Sequence, residues 1–271
     1  CSQTRRDIVR MVNAPKSGHP GGSLGCVEFF VCLYHEIMQP DAENFNMDGT
    51  GEDLFFLSNG HISPAWYSVL ARYGYFNVDE LSTFRFLNTR LQGHPTTHDG
   101  LPGVRMASGS LGQGLSVAIG AAHSKKLNGE DNLTYVLLGD GELQEGQIWE
   151  ALMYASAKNV DNIIATVDVN GRQIDGDTDD VVSLGDLKAK FEAFGWKVFS
   201  CDGNNVEDLL KTMADCKAAT GNGVPVVNLM KTEMGMGVDY MMGSHKWHGI
   251  FPNDEQLEVA LAQLEETLGD Y

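Results

Sequence analysis

The sequence predicts an α/β fold, in which a parallel sheet is flanked by helices. Two apolar runs, 134–138 and 163–167, have the length of buried strands, and each is followed by oxygen-bearing residues. The segment between them, 147–159, has apolar residues at helical spacing, so the unit places both strands parallel in one sheet. Strand and helix patterns also alternate through the second half of the chain. The length of 271 residues fits one large α/β domain or two small ones.

The other elements follow from the same two patterns. Short apolar runs predict strands at about 54–57, 134–138, 163–168, 197–200 and 225–229. Apolar residues three or four positions apart predict helices at about 2–13, 24–38, 62–73, 78–86, 112–127, 146–158, 186–194, 205–218 and 254–267. The leucines from 257 to 268 form one apolar stripe on the last helix. The segments 88–110 and 231–253 are expected to be long functional loops, because they carry histidines beside glycines.

Composition excludes several classes of function. The net charge of −18 argues against a nucleic-acid partner, which needs a basic surface. No run of about 18 apolar residues predicts a transmembrane helix, and no signal peptide is recognised. The five cysteines are irregularly spaced, which favours free thiols in a reducing cytoplasm. We therefore expect a cytoplasmic protein with no membrane partner.

Polar residues follow the two central strands. Asp140 comes after 134–138 and Asn170 after 163–168, so both emerge at the carboxyl edge of the sheet, where open α/β sheets bind ligands. A carboxylate and an amide oxygen suit a hard cation such as magnesium, which usually keeps places for phosphate oxygens. The alternative is two polar turns, because Asp-Gly and Asn-Gly are common turn pairs.

Histidines on glycine-rich turns are the second functional signal. Four of the eight adjoin a glycine, namely His19, His61, His94 and His248. One such histidine is more often structural, but four in one α/β domain favour an active site that transfers protons. His35 and His123 lie in helical stretches and are interpreted as structural, whereas His98 and His245 receive no assignment.

The glycine-rich segment 107–114 leads into a predicted helix. Its glycines let a ligand approach the backbone, and a helix start suits an anion. A dinucleotide-binding or purely structural α/β module is therefore an alternative interpretation. The spacing of these glycines differs from Gly-x-Gly-x-x-Gly, and no strand of adequate length precedes them, which argues against that module.

Taken together, these motifs are similar to those of transketolases. The pair Gly139-Asp-Gly and Asn170 resembles the thiamine diphosphate motif of a wider enzyme superfamily, whereas the histidine turns, Leu111-Gly-Gln-Gly and Gln173-Ile-Asp-Gly resemble transketolase more narrowly. The resemblance is to the N-terminal part of that family and covers essentially the whole chain. It implies a single thiamine-diphosphate-binding domain over residues 1–271.

The resemblance also implies a metal and diphosphate site. Asp140 and the Asn170 side chain would bind magnesium, or calcium or manganese in its place, and the backbone carbonyl of Arg172 would be a third ligand. Gly139 and Gly141 would contact the diphosphate. Diphosphate oxygens and a water would complete an octahedron around the metal.

The remaining roles are implied in the same way. His61 and His248 would lie at the diphosphate, and Gly109, Ser110 and Leu111 would lie along the cofactor near its aminopyrimidine. His19, His94 and His248 would face the substrate and handle protons on its hydroxyls. Glu145 would sit at a dimer contact, in a carboxylate relay between two active sites.

A full transketolase also has a pyrimidine-binding and a C-terminal domain, for which this sequence shows no second α/β unit. The resemblance therefore implies a split transketolase, active only with a partner subunit that carries those domains, in an α2β2 assembly. The expected reaction moves a two-carbon ketol unit from a ketose, such as a sugar phosphate, to an aldose.

A different thiamine diphosphate enzyme is the second alternative, because Gly139-Asp-Gly by itself permits it. This chain would then be the α subunit of a 2-oxo acid dehydrogenase, or part of a carboligase. The histidines on the Ser17-Gly-His-Pro and Asn59-Gly-His turns argue against both.

Overall fold

The computed structural model describes residues 1–271, and its centre is a five-stranded parallel sheet. The strands are β1 (Leu54–Leu57), β2 (Thr134–Gly139), β3 (Ile163–Val169), β6 (Lys197–Asp202) and β7 (Val226–Lys231), with a separate hairpin of β4 (Arg172–Gln173) and β5 (Gly176–Asp177). The spatial order in the sheet is β1-β2-β3-β7-β6. All five sheet strands were predicted, so the expected α/β class is confirmed.

Ten α-helices accompany the strands. They are α1 (Ser2–Asn13), α2 (Pro20–Gly25), α3 (Val27–Cys32), α4 (Ser63–Tyr73), α5 (Gly114–Asn128), α6 (Gly146–Ala157), α7 (Thr178–Val182), α8 (Leu187–Ala193), α9 (Val206–Ala219) and α10 (Asp254–Gln263). Short 3-10 helices cover Gly60–Ile62, Val78–Thr83, Gly141–Gln144 and His245–His248, and a π-helical turn covers Leu33–Met38. None of these helices has the length and apolar character that crossing a membrane requires.

Two hydrophobic clusters cover the two faces of the sheet. Successive residues of β1 point to opposite sides, so that Phe55 joins a cluster of 41 buried residues and Phe56 joins one of 21. The larger cluster includes side chains of α1, α3, α4 and α9, and the smaller one those of α5, α6 and α8. The near-continuous apolar strands follow from this burial on both faces.

The central strand–helix–strand unit has the predicted form. β2 and β3 are parallel neighbours, with Gly139 opposite Asp168, and α6 connects them. Both strands therefore end at the same edge, and Asp140 and Asn170 lie there as expected.

Two predicted helices are wrong in their extent. The helix predicted at 24–38 begins at Pro20 and is interrupted at Cys26, which separates α2 from α3. The start of α2 needs glycine, because a Cβ on Gly21 would lie 2.6 Å from Met234 Cγ and 2.7 Å from the Trp247 carbonyl oxygen. The segment predicted as a helix at 78–86 is a 3-10 helix that ends at Thr83.

The predicted C-terminal helix is too long by four residues, since α10 ends at Gln263. Arg6 donates hydrogen bonds to the carbonyls of Leu261 (2.9 Å) and Leu264 (2.7 Å), which satisfies the end of the helix. It also forms a 2.7 Å ion pair with Asp270. The chain therefore turns back over α1, and Leu268 is 70% exposed instead of continuing the apolar stripe.

Candidate active site

The sequence-predicted residues surround one cavity of about 340 Å³ at the carboxyl edge of β2 and β3. Its lining residues come from turns that follow strands or precede helices: His19, Gly22, Asn59, His61, Ile62, His94, Gly109, Leu111, Gly139, Asp140, Gly141, Glu142, Gln144, Glu145, Asp168, Asn170, Arg172, Gln173, Ile174 and His248. Only three of these 20 residues are hydrophobic, which suits a polar, charged ligand.

Asp140 is a buried carboxylate at the floor of this cavity, 2% exposed. One of its oxygens accepts a hydrogen bond from the backbone N–H of Gly141 (2.7 Å) and the other from that of Gly171 (2.6 Å). Burial, and secondly the nearby Asp168, raise its pKa to about 7. The raised pKa means that burial and the neighbouring carboxylate disfavour the charged form of Asp140. A bound cation would stabilise that charged form.

Asp168 orients the side chain of Asn170. Its Oδ2 accepts a hydrogen bond from Asn170 Nδ2 (2.8 Å), while its Oδ1 accepts one from the Thr232 hydroxyl. Because the amide nitrogen is held by Asp168, the Asn170 oxygen faces away from it, and it accepts the N–H of Arg172 at 2.9 Å. Burial raises the pKa of Asp168. The structure thus presents an oriented amide oxygen beside the Asp140 carboxylate.

Four histidines form a cluster over this floor. The ring centroid of His19 lies 5.2 Å from that of His61, 6.1 Å from His94 and 5.8 Å from His248. The rings of His61 and His248 are 5.0 Å apart. Residues separated by more than 200 positions in sequence therefore converge on one point.

These histidines favour the neutral form. Burial lowers the pKa of His19 to about 4, with further lowering by His248, Arg85 and His94. Burial also lowers the pKa of His61, His94 and His248, most strongly for His61. Neutral imidazoles each have one donor and one acceptor nitrogen, so they can accept and return protons near pH 7.

Unsatisfied polar atoms point to a ligand in this cavity. The Nδ1 atoms of His19 and His248 and the Oδ1 atom of Asn59 are buried without a hydrogen-bond partner. Buried polar groups are nearly always paired in proteins, so these atoms fit a bound polar molecule. No group of three or more histidine, cysteine, aspartate or glutamate side chains converges to hold a metal by itself. A metal at Asp140 and Asn170 would therefore take carbonyl, water or phosphate oxygens as its other ligands.

The structure brings together nearly all residues of the sequence-derived site. Glu145 and His94 are exposed at its edge, whereas Ser110 is exposed and outside the lining. His98, His245, His35 and His123 also lie outside it.

Sequence reasoning missed several lining side chains. Asn59, Gln173 and Ile174 stood within the recognised motifs but received no role. Glu142 and Asp168 are also buried acids, the first on the turn that follows Asp140 and the second near the end of β3, before Asn170. Each lies two residues from a proposed metal ligand, and this spacing could have identified both as residues of the site.

The chain matches the family model described as transketolase, thiamine diphosphate binding domain, over residues 2–269. It is 37% identical over 268 residues to one of the subunits of apulose-4-phosphate transketolase from Phocaeicola vulgatus, covering 98% of this chain and 92% of that protein. It is 38% identical over 250 residues to 6-deoxy-6-sulfo-D-fructose transketolase subunit SqwG of a Clostridium species, covering 92% of this chain and 89% of that protein. Among solved structures, transketolase from Leishmania mexicana superposes with a TM-score of 0.89 at 31% identity over 97% of this chain. The chain spans only 40% of that structure's length.

Proposed function

This chain belongs to the transketolase family, as a thiamine diphosphate binding domain, and we propose that it supplies the metal and diphosphate half of a ketol-transferring active site. The observation that carries the proposal is the oriented pair of Asp140 and Asn170 beneath the histidine cluster. A sugar-processing enzyme of this kind needs an anchor for the cofactor and proton-transferring groups over it. In this proposal Asp140 and Asn170 are the anchor and the histidines are the proton-transferring groups, and all of them line one cavity.

In this proposal, the side chains of Asp140 and Asn170 and the carbonyl of Arg172 hold a divalent metal, magnesium in the first instance. Gly139 and Gly141 give the diphosphate access to the backbone. When bound, thiamine diphosphate supplies the electron-accepting chemistry that carbon–carbon bond cleavage requires. The protein holds one end of it through the metal and the edge of the sheet.

The histidines would act on the substrate. His19, His94 and His248 are neutral near pH 7, so each can accept a proton from one substrate hydroxyl and return it to another. Of the four histidines, His61 has the most strongly lowered pKa. This suits a hydrogen bond from neutral His61 to the cofactor more than a change of its charge. Gly109, Ser110 and Leu111 are proposed to lie along the cofactor near its aminopyrimidine.

We propose that residues 1–271 form a single domain and that the other half of the site comes from a pyrimidine-binding domain outside these residues. Two observations support a separate partner chain. The relatives from Phocaeicola vulgatus and the Clostridium species, of which this chain covers 89% or more, are named as subunits. In addition, Glu145 is exposed at the edge of the cavity, where a second chain can reach it. We propose two copies of each chain, with Glu145 at the contact. The five free cysteines are consistent with a cytoplasmic enzyme.

The donor substrate is proposed to be a ketose with an anionic terminal group. The relatives are named for apulose 4-phosphate and for 6-deoxy-6-sulfo-D-fructose. Six arginines form ion pairs, but Arg85 and Arg172, which lie beside the histidines and in the cavity lining, form none. In a chain of net charge −18, guanidinium groups without an acidic partner at this place favour an anionic substrate.

The test is reconstitution. The chain is mixed with its partner subunit, magnesium and thiamine diphosphate, and ketol transfer is assayed with a panel of ketose phosphates and sulfonates against aldose acceptors. We expect transfer only from the complete mixture. Decarboxylation of a 2-oxo acid without ketol transfer would overturn the proposal in favour of a different thiamine diphosphate enzyme.

A further inference from the structure

We propose that Glu142 and Gln147 are positioning residues that clamp the Leu111–Gly112 peptide and hold Leu111 against the cofactor cavity. This inference rests on the proposed function, because it assigns these two side chains a role toward the same cofactor. Neither belongs to the metal site or to the histidine cluster. Each contacts the glycine-rich segment 107–114 instead.

Glu142 joins three separate parts of the cavity. One carboxylate oxygen accepts hydrogen bonds from the Ser58 hydroxyl, at the end of β1, and from the backbone N–H of Gly112 (2.7 Å). The other oxygen accepts the N–H of Gly139, at the end of β2 (3.1 Å). The side chain is only 2% exposed, so these contacts replace water around a carboxylate. The glycine-rich segment is thereby tied to the sheet edge.

Gln147 holds the other side of the same peptide unit. Its Nε2 donates a hydrogen bond to the Leu111 carbonyl (2.9 Å), while the N–H of Gly112 is bound by Glu142. Gly112 has a φ of +87°, and a Cβ there would lie 2.8 Å from Gln147 Cγ. Glycine is therefore required for the peptide to sit between the two side chains. With both polar groups of the peptide bound, its orientation is fixed.

Leu111 is the residue that this clamp presents to the ligand. It lines the cavity and is one of only three hydrophobic residues that do so. Its side chain direction depends on the peptide that follows it. A displacement of about 1 Å in a group that orients a reactant can lower a rate roughly 100-fold. We therefore expect the clamp to affect turnover more than cofactor affinity.

A direct role of Glu142 in metal binding is the competing explanation. Both of its oxygens already accept backbone or hydroxyl hydrogen bonds, and a metal would have to replace them. A further carboxylate charge beside a diphosphate would also oppose binding. The geometry therefore favours positioning.

The experiment compares Glu142→Gln, Gln147→Ala and the double variant with the wild type. Glu142→Gln keeps the shape but turns one acceptor into an NH2 donor that faces backbone N–H groups. Glu130→Gln is the matched control, because Glu130 also accepts a backbone N–H, that of Gly51 (2.8 Å), and lies outside the cavity. The measurements are amide hydrogen exchange of 107–114 in the chain alone, thiamine diphosphate affinity at fixed magnesium, and kcat and KM of the assembled enzyme.

We expect exchange of 107–114 to accelerate at least about tenfold in both single variants, with kcat lowered on the order of 10- to 100-fold. Cofactor affinity should change by less than about threefold, and the double variant should lose much less than the product of the single losses, because one peptide is held by both. Glu130→Gln should lower the melting temperature and leave kcat unchanged.

Two results would overturn the clamp. One is unchanged exchange of 107–114 with a loss of magnesium affinity of tenfold or more, which would make Glu142 a metal ligand. The other is a lower melting temperature with unchanged kcat and KM, as for the control. Because hydrogen exchange is read on the chain alone, it judges the clamp even if the wild-type assembly transfers no ketol unit.

Discussion

At the scale of single residues, Asp140 is the proposed metal ligand with the most distinctive environment. It is the only carboxylate among the three proposed ligands, and its oxygens are held by backbone N–H groups of Gly141, after β2, and Gly171, after β3. A divalent metal between this carboxylate and the diphosphate would offset the repulsion between the two anions. The first prediction concerns the removal of the carboxylate.

Asp140→Ala should abolish measurable thiamine diphosphate binding in the assembled enzyme, a loss of about 100-fold or more. The physical reason is that magnesium would retain only neutral protein ligands. Calorimetric titration at low magnesium measures this directly. Asp215→Ala, an exposed aspartate paired with Lys211 on α9, is the control and should bind normally. Unchanged affinity in Asp140→Ala would refute the metal assignment.

Asp168→Asn tests whether the orientation of Asn170 matters. An amide in place of the carboxylate sets an NH2 group against Asn170 Nδ2 or loses an acceptor for the Thr232 hydroxyl. We expect metal affinity to fall roughly 10- to 100-fold, as for other residues that orient a metal ligand. Magnesium titration of cofactor binding measures the effect. A variant with wild-type magnesium dependence would show that Asn170 needs no such support.

The histidine cluster predicts a pH dependence of stability. The pKa of His19 is lowered to about 4, so between pH 6.5 and 4 the folded state binds fewer protons than the unfolded state. The free energy of unfolding should therefore fall as pH drops below 6.5, by up to about 1.4 kcal/mol per pH unit from His19. His19→Gln should flatten this slope in urea titrations between pH 7 and 5. An equal slope in both proteins would contradict the assignment.

At the scale of elements, the sheet was predictable, whereas the extents of three helical regions were not. Strands β2 and β3 are fully buried apolar runs, and their pattern needs no tertiary information. The start of α2 and the end of α10 involve contacts with distant residues, Met234 for Gly21 and Arg6 for Leu264. Local helix propensity carries no information about contacts between residues that are distant in sequence.

The site shows the same division between local and distant information. Asp140 and Asn170 were predictable, because the carboxyl ends of adjacent parallel strands meet at one edge. The contact of Glu142 with Gly112 was not, since it joins residues 30 positions apart through a loop with no periodic pattern. The four histidines were singled out by the glycines beside them, the family resemblance added their expected roles, and the structure shows the spacing of their rings, about 5–6 Å.

The contact between α1 and the C-terminal segment gives the prediction at this scale. The Arg6 side chain is only 10% exposed, and it binds Asp270 and two carbonyls at the end of α10. Arg6→Ala should lower the free energy of unfolding by about 2–3 kcal/mol, because it leaves two carbonyls without this donor and removes the bidentate partner of Asp270, which keeps only Gln3 and Arg10. Urea denaturation measures it. Lys211→Ala, at an exposed ion pair, should cost under about 0.5 kcal/mol, and an equal loss in both would contradict the role of Arg6.

At the scale of the whole molecule, the chain is an acidic protein with one proposed site for anions. Its net charge is −18, yet the cavity combines neutral histidines, glycine turns and the proposed ligands of a divalent cation. The local environment of the cavity therefore favours the binding of anions, which the net negative charge of the chain opposes. The sheet brings the proposed metal ligands and the histidine cluster to one edge, from which the proposed cofactor would extend toward a second domain.

The most direct test of this account is a structure of the chain assembled with its partner subunit, thiamine diphosphate and magnesium. The account predicts a metal bound by the Asp140 carboxylate, the Asn170 amide oxygen and the Arg172 carbonyl, with the diphosphate beside Gly139 and Gly141 and beneath His61 and His248. A metal that contacts neither Asp140 nor Asn170, or a diphosphate elsewhere on the chain, would contradict it.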